Sequence, residues 1–196
     1  KVATLALGYQ GAVGSLVSMG AKGSEAELRK LVARWRMANP AITALWYELD
    51  MKFWTGGKVG EHLTIERDGR ERRVILPSGR ELIYHGVAKR QVRRDGFDRE
   101  ELSFLAPLPQ RPRVPTYGGK LTENITQAVA RDVLALALVR LSEVGLRVAG
   151  HVHDEVLIEG EHAVTEISAL MCAPNGWSAG LPLDAAGYVT ARYRKE

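Results

Sequence analysis

Through residues 1–57 apolar side chains return every three or four positions, the period of a helix with one buried face. Residues 1–9, KVATLALGY, carry no helix breaker before Gly8, and Lys1, Leu5 and Tyr9 fall on one helical face at spacing four. Ser24-Glu25-Ala26-Glu27 is a capping-box pattern, followed by Leu28, Leu31, Val32 and Trp35 at helical period. Asn39-Pro40 reads as an N-cap with proline at the first helical position. Ile42, Leu45, Trp46, Leu49 and Phe53 form the next stripe, and Gly56-Gly57 stops it. The pattern predicts a helical lobe over residues 1–57.

The period then changes. HLTIE, RRVIL and ELIYHGV are short strand-like runs punctuated by Asp68-Gly69 and Pro77-Ser78-Gly79, so residues 58–110 are expected to form a small antiparallel sheet. APLPQRPRVP, residues 106–115, reads as a proline-rich connector, and residues 111–196 as a third region. Within it a long helix is predicted over 121–144, ended by Gly145, then two strands, LRVAGHV and EVLIEG, joined at His153-Asp154. A short amphipathic helix near 161–172 and a loop-like tail follow. The fold class is α+β: a helical lobe, an antiparallel sheet and packed helices.

Composition adds bounds. The chain has 196 residues, 45% hydrophobic and 26% charged, as in an ordinary globular protein able to bury a core. No apolar run reaches the roughly 18 residues that span a bilayer, and the lone Cys172 has no partner for an internal disulfide. A cytoplasmic location with no membrane partner is expected. Formal net charge is +4, and the basic residues are uneven: Arg67, Arg70, Arg72, Arg73, Arg80, Lys89, Arg90, Arg93 and Arg94 crowd one region, interleaved with acids that include Asp68, Glu71 and Asp95. Such a surface attracts a phosphate backbone without reading its sequence. The chain opens at Lys1 inside apparent structure, so it is expected to be a piece of something longer.

Three groups of residues invite chemistry. In RVAGHVHDEVLIEG, residues 147–160, a reversal near 153–154 would put Asp154 at the tip of a rigid, buried hairpin. A carboxylate so held suits a hard cation such as magnesium. The alternatives are a zinc site, as in a hydrolase, built from His151 and His153, and a polar turn with no role. Zinc needs three or four converging ligands, and the chain has no HExxH. The second group is Lys1, Leu5 and Tyr9, a charge for a phosphate tail beside an apolar and an aromatic surface. The third is YGGKLTENITQAVARD, residues 117–132, where Thr122 or Asn124 would cap the long helix. Gln127 there offers an amide to the acceptors of a minor groove.

In this order the stretches resemble the family A DNA polymerases, of the bacterial DNA polymerase I type and its phage relatives. KVATLALGYQG looks like motif B, GGKLTENITQAVARDVLALAL like the palm helix before motif C, HVHDEVLIE like motif C, and GWSAGLPLDAAGYVTARYRKE like the ends of phage members. The resemblance implies the C-terminal half of a fingers and palm: a fingers lobe at 1–57, a basic strand region at 58–110 and a palm portion at 111–196. It implies a DNA-directed DNA polymerase that adds dNTPs to the primer terminus of primer–template DNA. Two Mg2+ ions would be held by Asp154, with Glu155 as its acidic neighbour and a second ligand set from an upstream motif A that this chain lacks. Lys1 would contact the triphosphate and assist the leaving pyrophosphate. Tyr9 would pack by the nascent pair, and Leu5 stands where many members carry Phe or Tyr. Gln127, Asn124 and Arg131 would touch DNA, with His153 near the primer end. The chain alone is expected to be inactive and to need the N-terminal half, in cis or as a separate chain. A DNA-binding remnant without chemistry, or a subunit of a split polymerase, is the alternative.

Overall fold

A computed structural model describes residues 2–94 and 96–193. By its internal contacts the chain divides into two compact units, Lys1–Thr126 and Gln127–Glu196. The fold is α+β, with six helices, a six-stranded antiparallel sheet and a two-stranded hairpin among the described residues.

The first unit opens with α1 (Val2–Leu7), α2 (Val13–Ser18), α3 (Glu25–Ala38) and α4 (Pro40–Thr55). Local chemistry sets the boundaries of α3 and α4. Ser24 and Glu27 complete the capping box, the Ser24 Oγ accepting from the Glu27 N–H at 3.4 Å and Glu27 Oε2 accepting from the Ser24 N–H at 2.8 Å. Asn39 ends α3 and begins α4, with Pro40 in the first turn. Its side chain serves the helix behind it: Nδ2 donates to the Trp35 carbonyl at 2.8 Å and makes no N-cap bond. Gly56, at φ 80°, then breaks α4. Leu7, Leu16, Leu28 and Val32 close a small apolar core between α1, α2 and α3.

The sheet follows as β1 (Gly57–Val59), β2 (Leu63–Asp68), β3 (Glu71–Ile75), β4 (Glu81–Arg94), β5 (Phe97–Leu105) and β6 (Arg113–Thr116), each strand pairing antiparallel with the next. β4 is far longer than the short runs in the sequence suggest, because its second half is charged and exposed and carries no apolar alternation. The proline-rich stretch makes the connection between β5 and β6, where the Ala106 N–H donates to the Pro112 carbonyl at 2.8 Å.

Ile65 and Val74 are paired across β2 and β3 and fully buried, as are Phe53 and Leu49 of α4. Phe53 meets Tyr84 of β4 edge-on at 5.0 Å, and Tyr84 meets Phe104 of β5 in the same way. Burying a side chain of this size contributes about 2–3 kcal/mol. The unit ends in the first turns of α5 (Gly118–Glu143), which begins three residues earlier than its apolar pattern implies.

The second unit takes the remainder of α5, then β7 (Arg147–Val152), β8 (Glu155–Glu159), α6 (Val164–Cys172) and a tail without regular structure. α5 stops in a Schellman motif: Gly145 sits at φ 79°, its N–H donates to Ser142, and the Leu146 N–H donates to Leu141. Arg140 donates to the carbonyls of Ala173 and Pro174 beyond α6. In the tail, Asn175 and Ser178 exchange two bonds of 3.0 Å, and Ser178 is buried.

Candidate functional site

β7 and β8 form an antiparallel ribbon with Val152 paired to Glu155, so His153 and Asp154 are the two residues of the turn. Val148, Val152, Val156 and Ile158 supply the β-branched surface that favours strands. Arg147 and Glu159 pair at 2.9 Å at the open end. The register slips once, between Val148 and Gly150. His153 has φ 55°, a left-handed conformation that costs a residue with a Cβ about 1 kcal/mol. Asp154 is thus at the apex.

The hairpin is not buried, contrary to the expectation from its apolar flanks. Residues 151–155 are exposed, and Val148, Val156, Leu157 and Ile158 are only half covered. The reason is topological. A two-stranded sheet has two open edges, and among the described residues neither β7 nor β8 pairs with a further strand.

Among the described residues the Asp154 carboxylate makes no ion pair or hydrogen bond. Glu155 Oε2 accepts from the Tyr193 hydroxyl at 3.1 Å, and that bond holds the Tyr193 pKa above the ordinary phenol value. The apex offers hard oxygen donors, the ligand type magnesium takes. Two divalent cations carry four positive charges, so the donors present suit part of such a site and require further carboxylates. The zinc reading gains nothing from the geometry. No three His, Cys, Asp or Glu side chains converge among the described residues. His85 lies instead against Glu71 at 2.9 Å, and His162 against the Glu159 carbonyl at 3.2 Å.

In the first unit two of the sequence stretches meet. Gly118 and Gly119 let the start of α5 press against backbone: a Cβ on Gly118 would overlap the Trp46 carbonyl, and one on Gly119 the Tyr9 carbonyl and Gln10. The Gly119 N–H donates to Gln10 Oε1 at 2.9 Å, and Trp46 Nε1 donates to the Gly8 carbonyl at 3.1 Å. Lys1 lies outside the described residues. Leu5 is exposed on α1, so it is no core leucine. Tyr9 is half-buried but not on the helix, because α1 ends at Leu7 and residues 8 and 9 form a turn. Its expected place on one helical face with Leu5 is therefore corrected. Gln10, at φ 67°, joins the two stretches and was missed from sequence; only the glycines around it hinted at a turn.

On α5 neither Thr122 nor Asn124 caps, since the helix already begins at Gly118. Thr122 is buried and donates back to the Gly118 carbonyl at 2.8 Å, and Asn124 Nδ2 donates to the Tyr84 hydroxyl at 3.2 Å. Asn124 is thereby tied to the sheet. Lys120 pairs with Glu123 at 2.7 Å. In the second unit Gln127 and Arg131 are both exposed and one helical turn apart.

No family model matches the chain, and no solved structure matches it. The chain is similar to the DNA polymerase of Bacillus phage SP02, with 41% identity over 211 aligned positions. The match takes in all of this chain and 32% of that protein. The chain therefore spans about a third of the length of the relative it matches. No helix among the described residues is long and apolar enough to cross a membrane.

Proposed function

We propose that this chain is the C-terminal fingers-and-palm part of a template-directed family A DNA polymerase. It extends a primer with dNTPs when joined to the portion that carries the motif A aspartate. The observation that carries this reading is Asp154 at the apex of a two-residue turn, exposed and unpartnered among the described residues, on the hairpin that follows the long helix. The likeness of the whole chain to a phage DNA polymerase supports it.

On this reading residues 1–57 belong to the fingers, 111–196 to the palm, and 58–110 form a basic sheet beside them. Asp154 supplies oxygens to the metal site, and Glu155 stands next to it, held by Tyr193. When bound, two magnesium ions activate the primer hydroxyl and steady the leaving pyrophosphate. Lys1, Leu5 and Tyr9 face the incoming nucleotide. Gln127 and Arg131, exposed on α5, contact the primer–template, and His153 lies near the primer end. The open edges of β7 and β8 suit a palm whose remaining strands come from the upstream portion.

The test is Asp154→Asn in the polymerase assembled with its upstream portion, in cis or as a separate chain. Primer extension should be lost while affinity for primer–template stays near that of the parent. Extension that survives the substitution would overturn the reading.

A further inference from the structure

The helix-facing side of the sheet continues past the end of α4. Ile65 and Val74 are buried as a cross-strand pair; two residues farther along, Arg67 and Arg72 stand directly opposite each other in the same way. Like charges so placed repel. Arg72 is 1% exposed, and its charge is spread over four carbonyls. Its Nε donates to Phe53 at 2.7 Å and Nη2 to Trp54 at 3.1 Å, both in the last turn of α4, while Nη1 donates to Gly69 at 3.0 Å and Glu71 at 2.7 Å. It caps a helix end that would otherwise hold free carbonyls. Burial first, and then the charge of Arg67, hold its pKa below the ordinary guanidinium value.

Arg67 and Arg70 have no such answer. Both are exposed, and among the described residues neither is paired with a carboxylate. Lys89 is paired, with Glu100 at 2.9 Å. The three cations Arg67, Arg72 and Lys89 lie 5.5, 5.8 and 5.3 Å from the centre of one indole, that of Trp54. With Arg70 they line a cleft of about 270 Å³ floored by Trp54, Val87 and Ala88. The Val87 N–H donates to the Arg70 carbonyl at 2.7 Å, which fixes the turn at its rim. The cleft falls below the roughly 300 Å³ at which drug-sized pockets begin, and suits a small anion better than a whole ligand.

We propose that this cleft binds a phosphate group, with Arg67 and Arg70 as its charged ligands and Trp54 as the wall that gathers them. The group belongs either to the backbone of a nucleic-acid strand or to a free nucleotide. The proposal stands apart from the reading of the hairpin. It gives the basic charge of the sheet one defined place.

The test uses the whole chain, with the Trp54 indole N–H resonance assigned through Trp54→Phe. Inorganic phosphate, dTTP and a short single-stranded oligo-dT are titrated at low salt into the parent and into Arg67→Gln/Arg70→Gln. Arg29→Gln/Arg34→Gln on α3 removes equal charge elsewhere. A strand-backbone site predicts that the oligonucleotide moves the Trp54 resonance and that Arg67→Gln/Arg70→Gln weakens its binding about tenfold or more. The slope of log affinity against log salt should also fall by about 1.4, at roughly 0.7 per lost contact. A free-nucleotide site predicts that phosphate and dTTP move the resonance in the parent alone, with the oligonucleotide slope unchanged. A Trp54 resonance unmoved by all three probes overturns the proposal. So does a shift retained in Arg67→Gln/Arg70→Gln, or an equal loss in the α3 variant. Asp154→Asn should leave every one of these readouts unchanged, which keeps this test separate from that of the hairpin.

Discussion

Two hairpins of this chain turn on two residues each, and both place the first of them in the left-handed region. Between β2 and β3 that residue is Gly69, at φ 50°, before Arg70; between β7 and β8 it is His153, at φ 55°, before Asp154. Glycine is the residue that occupies this region without steric cost, and at Gly69 nothing else asks for a side chain. The second hairpin carries a histidine at the same point and leaves the strain unrelieved. It also lacks the support of the first, whose strands lie inside a six-stranded sheet under α4. A strained residue on a thinly supported turn is the arrangement expected where side chains at the apex serve something other than folding.

The sharpest way to break that comparison is at the second turn residue. Asp154→Asn keeps the shape and removes the charge, and in the assembled polymerase it should lower primer extension about a thousandfold or more, roughly 4 kcal/mol of transition-state stabilisation. Arg70→Gln at the matching point of the first hairpin should leave the extension rate at saturating DNA unchanged. Primer extension of the two variants side by side checks both. A large loss of rate from Arg70→Gln would mean that the two turns do not differ in the way proposed.

The next largest effect lies in what holds the first hairpin. Arg72→Met keeps the apolar stem and removes the guanidinium, leaving the carbonyls of Phe53, Trp54, Gly69 and Glu71 without their donor. The first unit should lose about 2–3 kcal/mol, read as a lower urea midpoint and faster amide exchange in β2 and β3. Amides of β7 and β8 should exchange as before.

How much of this was legible in the sequence follows how local each signal is. The capping box at Ser24, the proline start of α4, the Gly145 stop and the reversal at His153-Asp154 depend on a few neighbouring residues, and each can be read from them. Arg72 could not be read that way. In sequence it is one arginine among nine basic residues of the strand region, and only the register of β2 on β3 and the end of α4 make it a buried cap. Asn124 passed for a capping residue because its partner, Tyr84, is 40 positions away. The hairpin was expected to be buried because apolar flanks show what a strand is ready to cover and not whether a neighbour is there.

Exchanging the turn residues sharpens the comparison at about 1 kcal/mol. Gly69→Ala meets open space but an unfavourable φ, so the first unit should lose about 1 kcal/mol. His153→Gly removes the same kind of strain, and the hairpin amides should become more protected from exchange by about that amount. In the assembled polymerase the same variant should extend primers more slowly, because the imidazole is gone from the primer end. A hairpin that loosens with His153→Gly would show that the imidazole supports the turn and would remove the argument from strain.

The smallest expected effect concerns the one tether found at the second turn. Tyr193 donates to Glu155, and this bond, first among the causes, raises the phenol pKa. A group whose folded pKa is raised contributes fully below its unfolded value, near 10, and loses that contribution as pH climbs through the raised value. The tether should therefore be intact at neutral pH and released only in strongly alkaline solution. Both partners are exposed, so overall stability should change little. Tyr193→Phe should instead show itself locally, as faster exchange at the Glu155 amide and a modest fall in extension rate at neutral pH. The parent, but not the variant, should lose hairpin protection as tyrosinate absorbance appears. If parent and variant follow the same pH course, Glu155 is held by its strand alone, and the second hairpin stands without any side-chain support at its apex.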